Sequence, residues 1–169
     1  IYSTDSRNIR NPGRLTEVFA DHFIAKGGSI IPEAVADIEQ TSGGNWRIRS
    51  NGSNNSFDAV VVAAGSWSRR LAKKLRIRLL LESERGYHVM VPAPVRGLNR
   101  SVHFGEEGFM LSPMETGYRI STGVELAGID APPDYRRIRR AVGAAEGLVK
   151  GLKVKEESIW MGRRPSTPD

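Results

Sequence analysis

A chain of 169 residues, 39% hydrophobic and 26% charged, has the make-up of a soluble globular protein, sufficient for one domain with a real core or a large piece of a bigger one. It has no cysteine, which excludes disulfides, thiolate metal sites and cysteine nucleophiles; no apolar run approaches the roughly 18 residues that span a bilayer, and no signal-peptide pattern is present. A net charge of +6 raises the question of nucleic-acid or anionic-membrane binding, which the placement of the basic residues has to answer.

Taken in chain order, Asn11-Pro12-Gly13 is a turn that opens a helical pattern over Arg14 to Lys26. Leu15, Val18, Phe19 and Phe23 share one face of it, and Gly27-Gly28 ends it. Ser29-Ile30-Ile31-Pro32 reads as a short strand. Ala34 to Glu39 and Trp46 to Ser50 alternate apolar and polar residues as half-buried strands do, with turns at Gly43-Gly44 and over Asn51 to Asn55. Phe57-Asp58-Ala59-Val60-Val61-Val62-Ala63-Ala64-Gly65-Ser66-Trp67-Ser68 then reads as a strand buried on both faces, as in a parallel sheet. Its small residues fall where such a strand leaves the sheet, and there they would let backbone approach a flat ligand. A buried strand ending in a glycine turn is the plain alternative. A short helix is expected around Ser68 to Leu75.

After Arg85 the pattern becomes an antiparallel meander. Its strands are expected over Tyr87–Val91, Ser101–Phe104, Gly108–Ser112 and Tyr118–Val124, with Pro92 and Pro94 ending the first. Asp134 is placed as the N-cap of a helix reaching about Leu148, and a last strand over Glu157–Met161 leads into Gly162-Arg163-Arg164-Pro165. The chain opens on Ile1 and closes on Arg164 to Asp169 without a terminating element, so a longer parent protein is expected.

The basic residues concentrate in Arg69–Arg78 and Arg136–Arg140, where Leu71, Leu75 and Ile138 recur at helical spacing. Solvated helix faces are the simpler reading, because no aromatic residues interleave with the charges as base stacking requires. Nucleic-acid binding is therefore not expected. His22, His88 and His103 lack metal-ligand spacing, so no metal site is expected either. Trp67 and Trp160 read most simply as core aromatics, and Tyr118 as a sheet-face residue.

The order of these features carries a resemblance. The helix with Gly27-Gly28, Val35, the run Asp58 to Ser68, Arg85-Gly86-Tyr87-His88 and Trp160 to Asp169 together resemble the flavin-dependent D-amino acid oxidase and dehydrogenase superfamily. Within it the chain is most similar to the D-amino acid dehydrogenase and glycine oxidase branch. The resemblance implies an α/β (α+β) fold: part of an FAD-binding Rossmann-like layer, plus an antiparallel-sheet substrate domain with flanking helices. The expected division is 1–85 for the central part of the FAD domain, 86–155 for the substrate domain and 156–169 for a strand returning toward the FAD domain.

It also implies roles. Val35 falls where the family contacts the adenine end of FAD, and Ala63, Ala64, Gly65 and Trp67 fall where a strand end nears the cofactor. Arg164 matches the arginine that grips the substrate carboxylate, a task suited to a planar, permanently charged guanidinium. Arg163 would replace it if the strand register differs by one, because adjacent residues point to opposite faces. Phe109 stands where glycine oxidases place a tyrosine near that carboxylate, and Tyr87 and His88 are candidates to line the pocket. No residue is nominated as a general base.

The implied reaction takes hydride from the α-carbon of an amine to the flavin, and the imine then hydrolyses to a keto acid and ammonia. The partners implied are a small amino-acid substrate and an electron acceptor, either oxygen or a respiratory chain, and the expected location is the cytoplasm, with peripheral association to the inner membrane left open. No Gly-x-Gly-x-x-Gly occurs in the chain, so weak or absent FAD binding by this polypeptide alone is expected. A secondary-amine oxidase, as for sarcosine, and a noncatalytic binding domain of the same fold remain open.

Overall fold

The computed structural model describes residues 7–93, 97–154 and 159–168. Helix α1 (Pro12–Ala25) starts where the Asn11 side chain accepts the Arg14 N–H at 2.8 Å with proline in the first turn. It ends in a paired cap: Gly28 N–H donates to Phe23 O at 3.0 Å and Gly27 N–H to Ile24 O at 2.9 Å. Gly27 sits at φ +89, a left-handed conformation that glycine adopts without a Cβ penalty. The predicted apolar face is present, yet none of its residues is buried: Leu15, Val18, Phe19 and Phe23 all face outward.

Strands β1 (Val35–Gln40), β2 (Trp46–Ser50) and β3 (Asn54–Phe57) form an antiparallel sheet in the order β1-β2-β3. Glu33 fastens its turn by accepting from the Ser50 and Ser53 hydroxyls. A single 3-10 turn (Gly65–Trp67) leads into helix α2 (Ser68–Lys74), which is tied to β1 by Lys74 Nζ donating to Ala36 O at 2.7 Å. The remaining strands are β4 (Glu82–Val91), β5 (Val102–Phe104), β6 (Phe109–Met114), β7 (Gly117–Leu126) and β8 (Ile159–Ser166). They form a five-stranded antiparallel sheet in the order β5-β6-β7-β4-β8.

Helix α3 (Arg136–Leu148) packs on one face of this larger sheet through Ile138, Ala141 and Ala145. Val89, Val91, Leu111 and Ile120 meet it there, each worth about 1.5–3 kcal/mol on full burial. Alternation along β4 is complete: Ser83, Arg85, Tyr87, Val89 and Val91 are buried and the residues between them are not. Asp134 caps α3 one residue earlier than a true N-cap, accepting the Arg136 N–H at 3.0 Å.

The mixture of helices and antiparallel sheet agrees with the expected fold class, but two expected strands are absent. Residues 58–64 form no ladder, and Val61 is 88% exposed. A strand buried on both faces needs flanking strands to bond its backbone. Here β3 ends at Phe57 after pairing with β2, and no described strand lies beside the valines. Ser29–Pro32 is likewise unpaired, with Ile30 and Ile31 exposed and Pro32 lacking a donor. The sequence-based division at residue 85 falls inside β4, and β8 pairs with β4 in the same sheet. Glu157, the expected start of β8, lies outside the described residues.

Candidate functional site

The face of the large sheet opposite α3 is a recess of about 780 Å³. Registers decide which side chains enter it. Across β4 and β8, Glu84 lies opposite Arg164, Gly86 opposite Gly162 and His88 opposite Trp160. Since β4 buries its odd-numbered residues on the α3 side, this even-numbered set belongs to the open side. Between Gly86 and His88 the pairing with β7 slips by one residue, a bulge that brings Ser121 opposite His88 and Arg119 opposite Met90.

Gly86 and Gly162 make a bare floor. A Cβ on Gly86 would lie 3.1 Å from Arg164 Nη2, so the guanidinium of Arg164 extends over that glycine. A Cβ on Gly162 would lie 2.2 Å from the Trp160 ring, so the indole lies over the second glycine. Trp160 is 56% exposed and stacks against His88 with ring centroids 4.7 Å apart. Burial, followed by the positive charge of Arg119, pushes His88 below its ordinary pKa and favours the neutral imidazole.

The two adjacent arginines take opposite sides of the strand. Arg163 is directed away from the recess floor: its Nε donates to Ile129 O at 2.8 Å and its guanidinium lies 5.8 Å from the Trp67 ring centroid. Arg85, on the same side and fully buried, donates to Ala131 O at 2.9 Å and Pro132 O at 2.8 Å. The side chains of Arg164 and Arg119, on the open side, have no hydrogen bond or ion pair among the described residues, and the Nε of Arg119 is buried without a partner there. The recess lining contains arginines and histidines but no Asp or Glu.

Of the residues expected to meet substrate, Arg164 and His88 are brought together here. Tyr87 and Phe109 border the recess, but their side chains are committed to the core. Tyr87 is 3% exposed; its hydroxyl donates to Glu125 and accepts the Asp134 N–H at 3.0 Å. Burial and then the Glu125 carboxylate push its pKa up, so the phenol keeps its proton. Phe109 is 1% exposed and stacks on Phe104 at 4.5 Å. Both side chains pack toward α3, as the odd positions of β4 and the Phe109 position of β6 do, and meet the recess only at its border.

Trp67 and Trp160 are not core residues, contrary to expectation; both are exposed. Arg119 was missed, although the alternation Tyr118-Arg119-Ile120-Ser121 already sets it on the face opposite two apolar residues. In the basic runs, Arg69, Arg70, Lys74 and Arg136 pair with Glu82, Asp130, Asp37 and Asp134.

The residues expected near a cofactor gather in part. Gly65 opens the 3-10 turn at φ +54 with no atom near its missing Cβ, and the adjacent Ser66 hydroxyl is buried with no hydrogen-bond partner. Trp67 brings this turn to β8 through Arg163, while Val35 begins β1 in the other sheet and is exposed.

A family model described as "FAD dependent oxidoreductase" (DAO) matches residues 1–169. The chain belongs to this family. A D-amino-acid oxidase of Bradyrhizobium diazoefficiens is 28% identical over 169 residues, covering 98% of this chain and 40% of that protein. A D-amino acid dehydrogenase of Cereibacter sphaeroides is 34% identical over 121 residues, covering 66% of this chain and 26% of that protein. The chain thus spans well under half the length of these relatives. Its fold is similar to that of glycine oxidase from Geobacillus kaustophilus, with a TM-score of 0.77 and 24% identity, over 92% of this chain and 42% of that one. L-proline dehydrogenase from P. horikoshii gives a TM-score of 0.76 at 20% identity, over 94% and 44% of the two chains.

For the flavin that this DAO family implies, the Gly65–Trp67 turn fits as one edge of a site, with bare backbone and an orphan hydroxyl. A glycine-rich phosphate cradle is absent from the chain. No helix among the described residues is long and apolar enough to cross a membrane.

Proposed function

We propose that this chain supplies the substrate-binding sheet of an FAD-dependent oxidoreductase that oxidises the α-carbon–nitrogen bond of a D-amino acid or a glycine-like amine. The observation that carries the reading is Arg164, its side chain without a partner among the described residues and laid over Gly86 in a recess whose lining has no carboxylate. Its guanidinium can fork two hydrogen bonds onto the α-carboxylate, which fixes the substrate at one end. Trp160 and neutral His88 form a flat apolar wall beside that carboxylate and limit the pose of the α-carbon. A neutral imidazole adds no charge that would repel an ammonium or compete for the carboxylate.

FAD, when bound, supplies the acceptor for the hydride leaving the α-carbon. Ala63, Ala64, Gly65 and Trp67 are the residues of this chain that would adjoin it, and Val35 would meet its adenine end. The amine lone pair forms the imine as the hydride departs, and water then releases a keto acid and ammonia. No protein base is required if the amine enters neutral, and the recess offers no carboxylate to act as one.

The test uses the full-length protein that carries this chain. A flavin absorption band that bleaches on anaerobic addition of D-amino acids is expected. A colourless protein that cannot be reconstituted with FAD would refute the reading and leave a noncatalytic binding domain. Bleaching only by N-methylated amines would move the substrate to a secondary amine.

A further inference from the structure

The recess holds a second cation that α-carboxylate binding does not use. Arg119 reaches it from β7, opposite Met90, and its Nε is buried without a partner among the described residues. A buried guanidinium nitrogen with no acceptor carries an uncompensated desolvation cost, which an incoming anion would remove. Arg85, the fully buried cation of this sheet, also leaves its Nε without a hydrogen bond, but its two Nη atoms are satisfied by the carbonyls of Gly128, Ala131 and Pro132. The half-buried Arg119 guanidinium has no hydrogen bond on any nitrogen among the described residues.

We infer that Arg119 receives a second carboxylate, on the side chain of the substrate, so that the site selects acidic amino acids or other dicarboxylates. The inference rests on the reading of Arg164 as the α-carboxylate ligand. The spacing is compatible. Arg164 lies over Gly86, and Arg119 acts on His88 while rooted opposite Met90. Strand rise puts His88 about 7 Å and Met90 about 13 Å from Gly86 along β4.

A glutamate-length molecule separates its two carboxyl carbons by about 5 Å, over four C–C bonds. Each hydrogen-bonded guanidinium–carboxylate pair adds about 4 Å between carbons. The two cations would then stand about 13 Å apart at full extension and closer when bent, which spans the interval the strand provides. His88 and Trp160 would flank the methylene chain between them. The recess of about 780 Å³ has room for such a molecule.

The test measures binding rather than turnover. Isothermal titration of the full-length protein with glutarate and with butyrate, at low salt and pH 7.5, gives a ratio of affinities. At least a tenfold preference for glutarate is expected, since a site with a buried donor penalises the ligand that leaves it unpaired. Arg119→Met should bring the ratio near one, and Arg119→Lys should keep part of it by retaining the charge. Equal affinities in the unaltered protein, or an undiminished ratio in Arg119→Met, would overturn the assignment of Arg119 and leave Arg164 standing. Failure of both ligands to bind the unaltered protein would overturn both.

Discussion

Gly86 offers a way to move the Arg164 guanidinium without touching Arg164. The Cβ added by Gly86→Ala would stand 3.1 Å from Nη2, 3.5 Å from Nε and 3.7 Å from Cζ of Arg164. Ordinary contact begins at 3.4 Å, so the guanidinium has to give by roughly 0.3 Å. The obstacle is the far end of a flexible side chain, and the fold should not suffer. Alanine in a strand is even favoured over glycine by about 0.5–1 kcal/mol.

Gly86→Val places a further methyl about 1.5 Å beyond Cβ, which displaces the head by on the order of 1 Å. Loss of one of two charge-assisted hydrogen bonds costs about 1.5–3 kcal/mol, or roughly 10- to 150-fold in Kd. Calorimetric Kd values for butyrate should therefore rise a few-fold in Gly86→Ala and at least tenfold in Gly86→Val, with Tm maintained in both. If Gly86→Val keeps its Tm and binds butyrate as tightly as the unaltered protein, Arg164 does not hold the carboxylate where the structure places it.

Two further predictions concern stability and protonation. Gly117 sits at φ +145 with its missing Cβ only 2.2 Å from Val91 O, so Gly117→Ala forces backbone apart and should cost about 2–4 kcal/mol. A Tm within 2 °C of both the unaltered protein and Gly105→Ala, where the added methyl meets open space, would refute that cost. His88 has its pKa lowered by burial and by Arg119, so the unfolded chain binds the extra proton first as pH falls below about 6.5. The stability contribution is therefore complete above that value and declines on acidification until the folded state also protonates. His88→Gln should flatten that part of the Tm–pH curve, and an NMR titration should place His88 higher in Arg119→Met. A curve unchanged by His88→Gln would show that the imidazole is not desolvated.

Legibility of the fold followed how local each signal was. The glycine stop of α1, the alternation in β1 and β2 and the meander of the large sheet could all be read, because turn residues and period-two patterning act within a few residues. The strand over residues 58–64 was misread for a non-local reason. Three valines in a row state that both faces want burial, but only neighbouring strands can provide the ladder, and none lies beside Val60–Val62 among the described residues. The start of β4 was missed from the opposite direction. Glu82-Ser83-Glu84-Arg85 is polar throughout, yet Arg85 is wholly buried, its Nη atoms donating to the carbonyls of a distant loop and its Nε 3.8 Å from the Glu125 carboxylate.

The chain's membership in a flavin-dependent family was legible from the order of its motifs, and Arg164 was a candidate through that resemblance. Whether Arg163 or Arg164 faces the recess was not legible, because adjacent residues of a strand differ only in the face they take and register is set by the partner strand. Pairing Gly86 with Gly162 put Arg164 on the floor of the recess and sent Arg163 to Trp67. The same alternation set Tyr87 on the α3 side and Trp160 on the open side, while Phe109 is buried through the pairing of β6 with β7. Residue order determined what kinds of side chain this sheet carries. The antiparallel register, with its one-residue slip opposite Tyr87, decided which of them meet, because each step along a strand reverses the face while only tertiary contacts set the starting point.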